Sequence, residues 1–140
     1  MSAAQTQPRF TPRSTEATPL TVVDTTTGLE WLVKPLPRAG HQQQLDAIAA
    51  LDAAGHTDWR MPNRTELQTL VDLTKYSPCI DTEAFPDIDG GWFWTSDLCA
   101  WSSASASSAS AWLVSFSYGN VYDYRRDSGG FALAVRRASQ

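Results

Sequence analysis

Helical patterning stops at residue 75. From Tyr76 onward no window repeats apolar residues at three- and four-residue spacing, whereas the stretch before it holds two such windows. A chain that keeps helices in its middle and strands toward its ends is an α+β domain, not a repeat array or a doubly wound sheet. Leu20–Val23 and Leu29–Val33 are apolar runs around the turn Asp24-Thr25-Thr26-Thr27-Gly28, which predicts a hairpin. Gln42–Ala54 carries Leu45, Ile48, Ala49 and Leu51 as the apolar face of a first helix that stops at Gly55. Asn63 opens a second helix, with Glu66 at capping-box spacing. Leu67, Leu70 and Val71 turn inward, and the helix ends near Leu73. Pro78, Pro86, Gly90 and Gly91 then punctuate a long loop.

The C-terminal part reads as antiparallel strands. Trp92–Thr95 is the first, and Trp112, Val114 and Phe116 alternate with Leu113, Ser115 and Ser117 in the second. That alternation sends the first trio inward and leaves Ser115 and Ser117 facing out. Tyr118-Gly119-Asn120 is a turn, Val121–Arg125 returns, and Phe131, Leu133 and Val135 alternate in the last strand. Trp31, Trp59, Leu67, Leu70, Trp94, Trp112, Val114, Phe116 and Val135 are expected to form one core.

At 140 residues the chain fits one domain, placed at 20–140 behind a flexible, Pro-, Thr- and Ser-rich arm at 1–19. A net charge of -4 argues against a nucleic-acid partner. No apolar run reaches the ~20 residues of a membrane helix, and the first residues lack the apolar region of a secretory signal. Membrane insertion is therefore not expected, and the compartment stays open. His41 and His56 show no ligand spacing to Cys79 and Cys99, so neither a metal site nor a cofactor is indicated. The two cysteines are either buried thiols or one disulfide, Cys79 to Cys99, and the sequence leaves both open.

Several segments carry one pattern. They are Asp24-Thr-Thr-Thr-Gly28-Leu29-Glu-Trp31, Asp58-Trp59-Arg60-Met61-Pro62-Asn63 with Glu66-Leu67, Pro78-Cys-Ile80-Asp81, and Trp94-Thr95-Ser96. Ala111-Trp112-x-Val114-x-Phe116 and Val135-Arg136 complete it. Together these resemble the Lcl C-terminal domain family over about residues 20–137. The resemblance implies a C-type-lectin-like fold, with two helices, small antiparallel sheets and long loops. It also implies surface binding rather than catalysis. Members include adhesin heads and the variable proteins of bacterial or phage diversity-generating retroelements, which mutate codons at template adenines.

Composition fits that last role. Lys, Glu, Gln and Met fill fourteen of the first 83 positions and none of positions 84–139. Adenine-directed mutation of an AAC codon reaches every residue type in Ser102–Ala111 and Tyr118–Ser128, but never Lys, Glu, Gln or Met. Gly- and Ser-rich strands from a GC-rich genome would also avoid those residues, so both explanations stand. Either way, tyrosines for rigid amphipathic area and Ser, Gly and Asn for adaptable hydrogen bonds make the composition of an antibody paratope. The expected contact residues are Ser102, Ser103, Ser105, Ser115, Ser117, Tyr118, Asn120, Tyr122, Tyr124 and Arg126. The partner would be a protein or cell-surface ligand, and the oligomeric state is open.

Three alternatives compete with this reading. Asp81, Glu83, Asp87 and Asp89 offer oxygen ligands, but they match no calcium-loop spacing, and the sugar-binding motifs of calcium-dependent lectins are absent. An invariant adhesin-type or glycan-binding domain would show the same core without a diversified segment. Formylglycine-generating oxidases share the broader fold and use paired cysteines. Cys79 and Cys99 lie outside the C-terminal strands, and no nucleophile–base constellation accompanies the serines, so no catalytic residue is assigned.

Overall fold

A computed structural model describes residues 9–12, 20–75, 78–88, 90–98 and 110–138. Among them the strands are β1 (Phe10–Pro12), β2 (Thr21–Asp24), β3 (Leu29–Leu32), β4 (Leu36–Ala39), β5 (Trp92–Leu98), β6 (Ser110–Ser115), β7 (Val121–Arg125), β8 (Gly130–Ala132) and β9 (Val135–Arg137). Helices α1 (His41–Ala49) and α2 (Arg64–Gln68) lie between β4 and β5. One sheet has the order β1-β2-β3-β9 and the other β4-β8-β5-β6-β7. Every pairing is antiparallel except β5 with β8. The architecture is α+β.

The β2–β3 hairpin closes as its turn residues direct. Asp24 Oδ1 accepts from Thr26 N–H at 3.0 Å, and Asp24 O accepts from Gly28 N–H. Residues 9–12 depart from the expected flexible arm: β1 pairs with β2, and the Arg9 guanidinium grips the buried Asp24 carboxylate through two bonds of 3.0 and 2.7 Å. A fixed buried charge on β2 recruits this segment, which hydrophobic patterning alone does not mark.

Both helices are shorter than expected. α1 ends at Ala49, because the chain turns back at Ala53–His56 and Trp59 Nε1–H donates to Ala53 O. In α2 the Asn63–Glu66 capping box is present in both directions. After Gln68 the bonds become three-residue turns from Thr69, Leu70 and Val71, which tighten the chain and swing Leu70 inward.

Two clusters form where one core was expected. The larger joins Trp31, Leu67, Phe85, Phe93, Val114, Phe116 and Val135 with their neighbours. The smaller joins Ile48, Trp59, Met61, Trp94, Ala111, Leu113, Ala132 and Ala134. The five-stranded sheet separates them. Register puts Phe93 beside Val114 on one face, and Trp94 beside Leu113 on the other, so β5 and β6 are covered on both sides. Trp112 is corrected out of the core. It is half-buried, with the Arg64 guanidinium stacked 4.7 Å from its ring centre.

The Asp58-Trp59-Arg60 segment ties these parts together. Arg60 forms a bidentate pair with Glu66, both bonds 2.7 Å. Asp58 instead accepts from Arg136 Nε at 2.6 Å, while Arg136 Nη1 reaches Glu30 Oε1 at 2.6 Å. Glu30 and Arg136 are both buried, and Thr21 Oγ donates to Glu30 at 2.8 Å. The cluster links β9, β3, β2 and the loop before α2.

Candidate binding face

β7 is one of the two edge strands of the five-stranded sheet, β4 being the other. Its register with β6 sets Tyr122 opposite Leu113 and Tyr124 opposite Ala111, on the face where Trp92 and Trp94 stand in β5. Ile48, Trp59 and Met61 cover part of that face. Beyond their cover an aromatic run comes to the surface. Tyr124, half exposed, sits edge-on to Trp92 at 5.7 Å, Trp92 edge-on to Trp94 at 5.1 Å, and Trp94 edge-on to His41 at 5.1 Å. Gly130 makes room for the run: a Cβ there would lie 2.4 Å from the Trp92 ring.

The turn before β7 presents Tyr118, which is 81% exposed. Gly119 takes φ +80°, which favours glycine, and its Cα side packs toward the exposed Leu73 side chain and Val71. Tyr118 is thus held outward on a turn pressed against the loop after α2. Asn120 is also exposed, and its carbonyl accepts from Ser115 N–H at 2.9 Å.

Ser115 does not face solvent. It is buried, and its Oγ accepts from the N–H groups of Ser117 and Tyr118 at 3.2 and 3.3 Å. With both sheet faces covered, alternation decides which cluster a residue joins rather than whether water reaches it, and a hydroxyl that satisfies turn amides tolerates the interior. Leu113, its strand neighbour in the expected outward set, is fully buried for the same reason. Ser117 is half-buried, and its Oγ accepts from Gly91 N–H at 2.8 Å. Both serines shape the turn. Tyr122 is half-buried against the smaller cluster, and burial raises its phenol pKa, helped by Tyr124 and Tyr118. Ser102, Ser103, Ser105 and Cys99 lie outside the described residues, while Cys79 is buried.

Arg126, just past β7, is held by α1. Its Nε–H donates to His41 Nδ1 at 3.0 Å and its Nη2 to Gln42 Oε1 at 2.8 Å. Since Nδ1 accepts, the His41 ring is neutral with its proton on Nε2, which donates to Thr95 O at 2.7 Å. Burial lowers the His41 pKa; the Thr95 carbonyl opposes this and the Arg126 charge adds to it. Trp92, His41 and Gln42 were missing from the expected site. The doublet Trp92–Trp94, two bulky residues at period two, was the available signal for the first. Nothing local marks His41, whose bond to Arg126 spans 85 positions.

The Lcl C-terminal domain model matches residues 20–136. The chain belongs to that family. No match is found among curated proteins.

In this Lcl C-terminal domain two grooves lie apart from the aromatic face. One, about 550 Å³, is lined by Thr27, Arg60, Thr65, Glu66, Thr69 and Arg137 among others. The second, about 500 Å³, lies between Arg9, Phe10 and the Leu70–Leu73 segment, with Asp81 at its wall. Asp81 Oδ1 accepts from Glu83 and Ala84 N–H, closing a turn in the acidic loop. Among the described residues no three His, Cys, Asp or Glu side chains are grouped so as to hold a metal ion. No described helix is long and apolar enough to cross a membrane.

Proposed function

We propose that this Lcl C-terminal domain is a non-catalytic binding module with a C-type-lectin-like fold. We further propose that it is the variable protein of a diversity-generating retroelement, with its contact surface on the β7 edge and the turn before it. One observation carries the reading. Tyr118 and Tyr124 are exposed aromatics on an edge strand and its turn, beside strands whose central residues Phe93, Trp94, Leu113 and Val114 are buried on both faces. Exposed tyrosines grouped around Tyr122 on one edge favour a contact surface over singly scattered exposure. Tyr118, Asn120 and Tyr124 would make contacts, Trp92 and Tyr122 would back them, and Ser115 and Ser117 would shape the turn. The ligand would be a protein or a cell-surface molecule.

Two experiments test this. Fluorescent protein is applied to a panel of bacterial and host cells, wild type against the Tyr118→Ser/Tyr124→Ser double variant. Loss of cell binding at unchanged melting temperature supports the face, and equal binding rejects it. Sequencing the locus across a population then separates a diversified protein from an invariant adhesin. Substitutions concentrated in codons 95–135, beside a reverse transcriptase gene and a near-copy template, support diversification. A constant segment with no template rejects it.

A further inference from the structure

His41 is a buried titratable group that the binding reading does not use. It joins α1 to the end of β7, and both its ring nitrogens are hydrogen-bonded. Nε2–H donates to the Thr95 carbonyl on β5, Nδ1 accepts from Arg126 Nε–H, and the Trp94 ring of β5 stands edge-on at 5.1 Å. Gln42 accepts from the same guanidinium. Arg126 is the charged group that acts on the ring among the described residues. The carboxylates on the neighbouring elements are engaged elsewhere. Asp46 of α1 accepts from Gln42, Asp97 of β5 from Arg64 N–H, and Asp127 pairs with Arg125.

We propose that His41 is a pH-operated latch on the binding face, holding the Arg126 guanidinium while neutral and releasing it when protonated. A proton from solvent can bind only at Nδ1, because Nε2 already carries one. That proton removes the acceptor for Arg126 Nε–H and sets two donors, and two positive charges, against each other across 3.0 Å. Among the described residues no carboxylate acts on the ring to relieve the clash; Asp46 reaches the guanidinium only through Gln42. The strand itself stays paired, since His41 N–H donates to the Arg126 carbonyl at 2.9 Å through backbone alone. The movement is thus confined to the side chain. Arg126 swings out on its remaining Gln42 contact and adds free cationic donors beside Tyr124. The face then differs in acid and neutral solution, and an anionic ligand gains a partner on acidification. The consequence for ligand rests on the proposed binding face, whereas the latch does not.

The test is an NMR titration of the ligand-free protein. The His41 ring and the Arg126 Nε–H are followed from neutral to acid pH, with His56→Gln to assign the two imidazoles. The Arg126 Nε–H signal should shift with the same midpoint as the His41 ring, below the ordinary histidine range. Arg126→Met should raise the His41 midpoint, and His41→Gln, which keeps a donor for Thr95 and does not titrate, should abolish the change at Arg126. An Arg126 signal that stays constant through the His41 midpoint overturns the latch. So does a His41 midpoint that Arg126→Met leaves unmoved. Because no ligand is present, these outcomes are independent of the cell-binding result.

Discussion

The Asp58–Glu66 segment and the turn and strand from Tyr118 to Arg126 differ in how their side chains are spent. In the first, nearly every side chain has an internal partner. Asp58 holds Arg136, Trp59 fills the smaller cluster and donates to Ala53, Arg60 and Glu66 lock together, and Asn63 caps α2. In the second, Tyr118, Asn120 and Tyr124 face water while the backbone makes the structural bonds. Substitution should therefore be costly in one region and tolerated in the other. A domain that separates them this way can change its contacts without losing its fold.

The strongest challenge to this contrast is Trp59→Ala. Emptying a buried indole site should cost about 3–5 kcal/mol in urea unfolding. Wild-type stability in that variant would remove the segment's claim to the core. Arg136→Met comes next, at about 3 kcal/mol, because it removes the counter-charge of the buried Glu30 carboxylate. Adding Glu30→Gln should recover part of the loss, which a purely steric effect would not allow.

Acid probes the charged contacts that hold each region in place. The His41 pKa is lowered in the fold, so the unfolded chain binds the proton more readily. Stability should decline as pH falls below the ordinary histidine range, and this decline should level off below the folded midpoint. Urea midpoints across that range should lose the slope in His41→Gln. At lower pH a second loss is expected from Asp24 and Glu66. Burial opposes the Asp24 shift, but its Arg9 bond holds the pKa down. At Glu66 the Arg60 bond, the largest influence, acts against burial in the same direction. Their stabilisation is present above the unfolded carboxylate values and disappears as pH falls through the folded ones.

The smallest effects belong to the edge. Tyr118→Ser and Tyr124→Ser should each shift stability by no more than about 0.5 kcal/mol, as for other surface changes. Tyr122→Ser should cost more than either, because that ring packs on the smaller cluster. Equal costs at all three tyrosines would erase the distinction between contact and support.

What the sequence determined by itself is short in range. The Asn63–Glu66 capping box, the Asp24–Gly28 turn and the glycine turn at 119 are set by groups a few residues apart. The family was also legible, since its marks are local strings. Tertiary structure alone decided the rest. Alternation told that Ser115 and Phe116 point to opposite sides, but not that both sides of the sheet are covered. Ser115 is buried beside Trp92 and under its own turn, whose Ser117 and Tyr118 N–H groups its hydroxyl accepts. The contacts Arg9–Asp24, Asp58–Arg136, Glu30–Arg136 and His41–Arg126 join residues 15, 78, 106 and 85 positions apart. Such pairs depend on which strands become neighbours, and strand order follows from the burial of the whole chain rather than from the residues that end up touching.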